Sequence, residues 1–387
     1  MNTPEELLPH FLVNPDITFL NHGSFGACPK PVFETYQNWQ RELEWQPVEF
    51  LGRRFAGLMA ESRQVLADYL GTARDNLVYV PNATVGLNIV AHSLKLQPGD
   101  QVLTTNHEYG ALDRTWILLS QKVGFKYINQ PVPIPLTDTP SFIEAFWKAV
   151  TPDTKVIFIS HITSPTAVIF PVKEICTRAR QAGIMTVIDG AHAPGQISLN
   201  LDDLGADFYS GNLHKWLCAP KGSAFLYARP EVQELIEPLV ISWGWQSENP
   251  GPSKFVDYLE WTGTRDVASY LTVPDAIRFQ QTYQWDQVRE RCHQFAQQCQ
   301  QRLTALTGLA PLHIDSPLWY AQMAASPIPS QVDIVWLKAA LYDQYKVEVP
   351  LIDWNGYKLV RYSLQGYNTE KDIDALVNAL EKLLYSK

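Results

Sequence analysis

Between Asn76 and Arg229 the chain alternates short β-rich runs with helical patterns, and no other feature limits its fold as much. Leu77-Val78-Tyr79-Val80, Val102-Leu103-Thr104-Thr105, Tyr127-Ile128, Val156-Ile157-Phe158-Ile159, Thr186-Val187-Ile188 and Ala224-Phe225-Leu226-Tyr227 read as strands. Val156–Ile159 contains no polar residue, as expected of a strand covered on both faces. Among the intervening helices, one carries Val85, Ile89 and Leu94 and is capped by Asn82 or Thr84. Ser141 followed by Glu144 is a capping-box signature for a helix through Val150, and a helix over 172–182 stops at Gly183. This order predicts βαβ units and a mainly parallel sheet.

After about Val273 the texture changes. Val288, Cys292, Phe295, Cys299, Leu303 and Leu306 step by three and four, which predicts a long amphipathic helix. A last helix carries Ile373, Leu376, Val377, Leu380, Leu383 and Leu384 on one stripe. Asp333-Ile334-Val335-Trp336 and Leu359-Val360-Arg361-Tyr362 both look strand-like. The expected architecture is therefore a large α/β domain over 16–274 and a smaller α+β domain over 275–387, joined by residues 1–15.

Composition narrows the function. With 31 Lys+Arg against 40 Asp+Glu the formal charge is −9, and no basic run offers a footprint for nucleic acid. No apolar run is long enough to span a bilayer, and MNTPEELLPHF lacks the pattern of a secretory signal. The five cysteines are scattered and never form CxxC, which fits reduced thiols in a cytoplasmic protein better than disulfides or a metal site.

Two segments carry chemistry. Thr186–Ile188 delivers Asp189 to the end of a strand, where ligands bind in open α/β sheets. An isolated Asp at such a place is more often a turn cap before a glycine. Farther on, Ser210-Gly211-Asn212-Leu213-His214-Lys215-Trp216 and Ala219-Pro220-Lys221-Gly222 place lysines in a partly apolar setting. Desolvation lowers an amine's pKa and makes it nucleophilic toward carbonyls, although any single lysine is more often an ordinary surface residue. The order of strand-end Asp, then His-Lys, then a Gly-terminated turn favours chemistry over the bland readings.

These segments resemble the class V aminotransferase family of pyridoxal 5′-phosphate (PLP) enzymes, and within it isopenicillin N epimerase-like proteins. Phe19-Leu20-Asn21-His22-Gly23-Ser24-Phe25-Gly26, Trp261-Thr262-Gly263-Thr264-Arg265-Asp266 and Arg361-Tyr362-Ser363 with Tyr367-Asn368 extend the likeness over nearly the whole chain. It implies the fold of the PLP-dependent transferases, type I, with PLP as cofactor. By resemblance, Lys215 would carry PLP as a Schiff base and move the α-proton of an amino acid substrate. Asp189 would pair with the pyridinium nitrogen and His192 would lie near the phenolic oxygen. Ala83 and Thr84 would bind the phosphate at a helix N-terminus, with Asn212 and His214 nearby. Thr264 would reach the phosphate of a neighbouring subunit, implying a homodimer with shared sites. Arg361 would clamp the α-carboxylate, with Asn21 also at the substrate.

Two departures from the sulfur-transferring members matter. His107-Glu108-Tyr109-Gly110-Ala111 puts Tyr109 where those enzymes stack a histidine on the cofactor, which leaves His107 as a structural neighbour. No cysteine lies in Leu351–Gly356, where they carry the sulfur acceptor, and Cys218 reads as a small buried hydrophobe. The aromatic stretch Ile241–Trp245 is expected near the entrance. Epimerisation, β-elimination as in a C–S lyase, and transamination would all use Lys215, Asp189 and Arg361. A non-catalytic PLP-fold protein is a further reading, disfavoured by retention of that set. A nicotinamide enzyme is disfavoured because no GxGxxG follows a strand.

Overall fold

The computed structural model describes residues 3–385. After helices α1 (Lys30–Trp45) and α2 (Phe55–Leu70) the chain enters the alternating region. Its elements are β1 (Leu77–Val80), α3 (Ala83–Ser93), β2 (Gln101–Thr105), α4 (Gly110–Val123), β3 (Lys126–Gln130), α5 (Thr139–Trp147) and β4 (Thr154–Ser160). There follow α6 (Val172–Gln181), β5 (Met185–Asp189), β6 (Phe208–Asn212) and β7 (Ala224–Ala228). The seven strands lie in the order β1-β7-β6-β5-β4-β2-β3. All neighbouring pairs are parallel except those made by β7.

Successive side chains of the central strands enter opposite layers. Ile157, Ile159, Ile188 and Tyr209 join one core, whereas Val156, Phe158, Val187 and Phe208 join the other. The apolar run of β4 is thus the signature of a strand buried on both faces. Parallel pairing then brings the C-terminal ends of β4, β5 and β6 to one edge, with Ser160 opposite Asp189 and Asp189 opposite Ser210. At α3 the cap is Asn82, whose side chain accepts from Val85 N–H. Gly86 lets that helix lie on the sheet, because a Cβ there would stand 2.3 Å from Ser210 Oγ.

The rest of the chain forms the smaller α+β part: α7 (Trp285–Thr307), β8 (Met323–Ile328), α8 (Ile334–Tyr345), β9 (Leu351–Trp354), β10 (Tyr357–Ser363) and α9 (Glu370–Tyr385). Its antiparallel sheet has the order β9-β10-β8. The start of the chain packs here as well: the Phe11 and Tyr367 rings meet edge-on at 4.9 Å, and Tyr283 Oη bonds His10 Nε2 at 2.9 Å. Thr18–Phe19 pairs with Val347–Glu348, and Asn21 bridges to Ser363. Among the described residues no helix is long and apolar enough to cross a membrane.

Two local expectations are corrected. Asp333–Trp336 is not a strand but the start of α8. Asp333 Oδ1 accepts from the N–H groups of Val335 and Trp336, and Val335 and Trp336 are exposed while Leu337, Ala340 and Leu341 are buried. A short apolar run does not distinguish strand from helix, and here the cap decided. Likewise α5 is capped by Asp138, which accepts from Ser141 N–H at 2.8 Å; Glu144 instead pairs with Arg178 on α6.

The packing of α3 on β6 makes Gly86→Ala costly, by about 1–3 kcal/mol through overpacking. At Gly57 of α2 nothing lies within 4 Å of an added Cβ, so Gly57→Ala gains about 0.5–1 kcal/mol from helix entropy alone. Urea unfolding of both variants checks the opposite signs.

Candidate active site

Asp189 ends β5 with its side chain 3% exposed, and Oδ1 accepts the Ala191 N–H at 2.9 Å. Burial pushes this carboxyl up to about 6, against the pull of the Ala191 N–H and the Lys215 charge. Gly190 follows because Tyr209 fills the space beside it: a Cβ would stand 2.0 Å from that ring. Beyond Asp189 the chain turns, which brings His192 back toward the loop after β6.

That loop carries Lys215. Leu213 N–H bonds Ser223 carbonyl, Cys218 N–H bonds Lys215 carbonyl and Ala219 N–H bonds Leu213 carbonyl, at 3.0–3.1 Å. Two glycines let other segments touch it. A Cβ on Gly26 would stand 1.9 Å from His214 O, and one on Gly195 would stand 2.4 Å from Leu217 N. His22 donates from Nε2 to the Lys215 carbonyl at 3.0 Å. Lys215 Nζ lies 3.1 Å from His192 Nε2. Burial, with help from the Arg361 charge, lowers the amine to about 7, opposed by Asp189. The side chain remains half-buried, so a carbonyl compound can still reach it.

Arg361 projects from β10 and is 4% exposed. It donates from Nη1 to the Ser164 carbonyl and from Nη2 to Ser24 Oγ at 3.2 Å. Among the described residues no carboxylate pairs with it, and its Nε has no partner. Desolvation alone lowers this guanidinium to about 10. A buried cation without a counter-ion is costly unless a ligand anion completes it. Asn21 supports this corner: it donates to Glu348 Oε1 at 3.0 Å and accepts from Ser24 Oγ.

Beside α3, the Ala83 N–H assigned to phosphate by resemblance is donated to Asn212 Oδ1 at 2.8 Å. Among the described residues no hydrogen bond engages the Thr84 hydroxyl, which stays available at that helix end. His214 donates from Nδ1 to Ser223 carbonyl at 3.0 Å, and burial lowers it to about 4. Tyr109 stands at the N-terminus of α4 with its ring 45% exposed. His107 is buried away from solvent, bonds Thr166 Oγ1 at 2.8 Å and packs 4.3 Å from the Trp354 ring. Cys218 is fully buried and its thiol is pushed well up by that burial. Thr264 is exposed, and no hydrogen bond ties it to the other site residues of its own chain. Trp243 lines a surface groove of about 320 Å³ with Leu51, Phe55 and Trp261.

Several site residues had no individual role at the sequence level. Glu108 is buried and accepts from Ser160 N–H (2.8 Å), Ser160 Oγ (2.6 Å) and Thr105 Oγ1 (2.7 Å). Burial, with the Asp189 charge adding, raises its carboxyl to about 8. Ser24 and Ser164 hold Arg361, and Trp216 touches His192. Only register and tertiary contact bring these together, although Glu108 and Trp216 each adjoin a residue already singled out.

The donor set fits PLP: an accessible amine of lowered pKa, a buried carboxylate, a helix end with a free hydroxyl, and a cation lacking its anion. Comparison with known proteins agrees. The family model for class-V aminotransferases matches residues 26–376. An isopenicillin N epimerase of Amycolatopsis lactamdurans is 34% identical over 96% of this chain and 96% of its own length. One from Streptomyces clavuligerus is 32% identical over 98% of both. A probable L-cysteine desulfhydrase of Arabidopsis thaliana is 28% identical over 96% of this chain and 84% of its own. In fold, a cysteine desulfurase from Thermococcus onnurineus matches with a TM-score of 0.84 at 21% identity, over 100% of this chain and 99% of that one. A cystine C–S lyase matches with a TM-score of 0.82 at 20% identity, over 95% and 98%. The chain thus belongs to the class-V aminotransferase family and is a PLP-dependent enzyme of fold type I.

Proposed function

We propose that this enzyme inverts or labilises the α-carbon of an amino acid or peptide-like amino acid, with epimerisation as its leading reaction. The observation that carries the amino acid assignment is Arg361, a buried guanidinium that pairs with no carboxylate among the described residues and whose charge bears on the Lys215 amine. Epimerisation is favoured by the likeness to isopenicillin N epimerases along both full lengths. PLP bound here supplies an electron sink that acidifies the α-C–H.

Each residue then has a task at a named atom. Lys215 Nζ would hold the cofactor and move the α-proton of the substrate. Asp189 would keep the ring nitrogen protonated, and His192 would offer a hydrogen bond to the phenolic oxygen. Thr84, with its helix N-terminus, takes the phosphate. Arg361 would hold the α-carboxylate, its guanidinium kept in place by Ser24 and Ser164. Inversion needs a second proton donor on the opposite face, and the exposed Tyr109, whose phenol has no hydrogen-bond partner among the described residues, is the candidate. A C–S lyase would need Lys215 alone for the proton, and the desulfhydrase relatives keep that reading as the second one.

The active form is a homodimer in this proposal. Trp45 and Trp243 are 90% and 85% exposed, with Val48 and Ile241 exposed as well. Apolar surface of this kind is commonly covered by a partner. Thr264, isolated from its own site, would then serve the partner's phosphate.

Borohydride reduction followed by peptide mapping places the pyridoxyl label on Lys215; a label on Lys221 overturns the assignment. Tyr109→Phe abolishes inversion while exchange of the α-proton from one enantiomer continues in deuterated water. Unchanged inversion removes Tyr109 as the second acid, and rapid β-elimination without inversion in the wild type establishes the lyase reading. Thr264→Ala weakens PLP retention, and mixing its inactive subunits with Lys215→Ala subunits restores part of the activity. No restoration after confirmed subunit exchange rules out shared sites.

A further inference from the structure

Trp216, the residue after the reactive lysine, is fully buried and its indole N–H points at the site. Nε1 donates to His192 Nδ1 at 3.3 Å, while the other ring nitrogen, Nε2, faces Lys215 Nζ at 3.1 Å. An indole N–H can only donate. His192 Nδ1 must therefore be the bare nitrogen, and in a neutral ring the proton sits on Nε2.

The surroundings keep that ring neutral. His192 is 3% exposed, and the charged or titratable groups that bear on it are Lys215, Arg361 and His214, with Asp189 across the Lys215 amine. Desolvation and the positive neighbours hold the imidazole well below its ordinary pKa. An N–H on Nε2 aimed at Lys215 meets a lone pair if that amine is neutral, but another N–H if it is an ammonium.

Trp216 itself has little freedom to turn. Gln280 Nε2 bonds its carbonyl at 2.8 Å, the His22 ring packs 5.1 Å away, and a Cβ on Gly23 would stand 3.3 Å from its Cζ2. Trp216 is thus held by Gln280 of the helix Val273–Thr282 and by His22 and Gly23 of the N-terminal segment.

We infer that Trp216 is a positioning residue: its indole N–H fixes His192 as the Nε2–H tautomer, so that His192 always presents a hydrogen-bond donor to the reacting nitrogen and oxygen atoms and never acts as a base. The consequence is a division of labour. Proton acceptance belongs to Lys215, and His192 stabilises the unprotonated form of whatever atom lies before its Nε2. Without the indole N–H the ring can exchange tautomers, offer a lone pair instead, and favour the protonated neighbour. The inference rests on Lys215 being the reactive amine, but the tautomer itself does not depend on which reaction the enzyme performs.

The test is nitrogen NMR of the holoenzyme labelled with 15N-histidine, with His192 assigned by its loss in His192→Gln. The wild type shows a proton-bearing Nε2 and a bare Nδ1. Trp216→Phe averages the two signals, and so does replacement of Trp216 by 3-benzothienylalanine, which keeps the ring shape and removes only the N–H. In both variants the pH midpoint of the cofactor's visible band rises by about one unit, the scale of one neutral hydrogen bond. Adding the benzothienyl replacement to His192→Gln moves that midpoint no further. A wild-type His192 protonated on Nδ1 or on both nitrogens overturns the inference. Unchanged signals or an unmoved midpoint in the benzothienyl variant do so as well, even if Trp216→Phe fails to fold. Relocation of the borohydride label away from Lys215 would sink the functional reading while leaving the tautomer result standing.

Discussion

Two cations and one carboxylate share a desolvated pocket, and the rest of the site is arranged around that imbalance. Lys215 and Arg361 repel each other and Asp189 answers only part of their charge. Isolated, such a group would be expelled or neutralised, since burying an unpaired charge costs several kcal/mol. Here Lys215 is pushed toward its neutral form, while the Arg361 guanidinium donates hydrogen bonds to the Ser164 carbonyl and to Ser24 Oγ. The unmet demand is for an anion, since Arg361 is buried and no carboxylate among the described residues pairs with it.

Holding this arrangement requires segments far apart in sequence to meet at short range. The turn Asn21–Gly26 is the hinge pin. His22 fastens the Lys215 backbone, Ser24 fastens Arg361, and Gly26 lets the turn press against His214. Lys221 in turn donates to the Gly26 carbonyl at 2.9 Å. Through that one turn the loop after β6 and the strand β10 of the smaller sheet are tied together. A change in the turn is therefore felt by the Lys215 backbone and the Arg361 guanidinium at once.

Much of this was legible in the amino-acid order. The buried run Val156–Ile159 announced a two-sided strand, and Asp189 stands at the C-terminal end of the next strand, as its sequence context predicts. His107 was read as structural, and it packs against Phe170 and Trp354 as such a residue does. The failures are equally physical. Asp333–Trp336 has the apolar content of a strand, but a side-chain cap committed it to a helix. The strand Met323–Ile328 escaped notice because its alanines, serine and proline lack the β-branched signal, and its pairing with β10 supplies the stability instead.

What the sequence by itself determined is the alternating α/β architecture and the candidates for reactive chemistry, because periodicity and motif order are local properties. Tertiary structure alone decided what those groups are able to do. Whether Ala83 N–H is free, whether Arg361 has a counter-ion and which nitrogen of His192 carries its proton depend on Asn212, on Ser24 and Ser164, and on Trp216. Ser24 and Ser164 lie 337 and 197 residues from Arg361 in sequence, yet charge, solvation and proton position are set within a few ångströms. Local order therefore names the reactive groups, and only the packed neighbourhood sets their state.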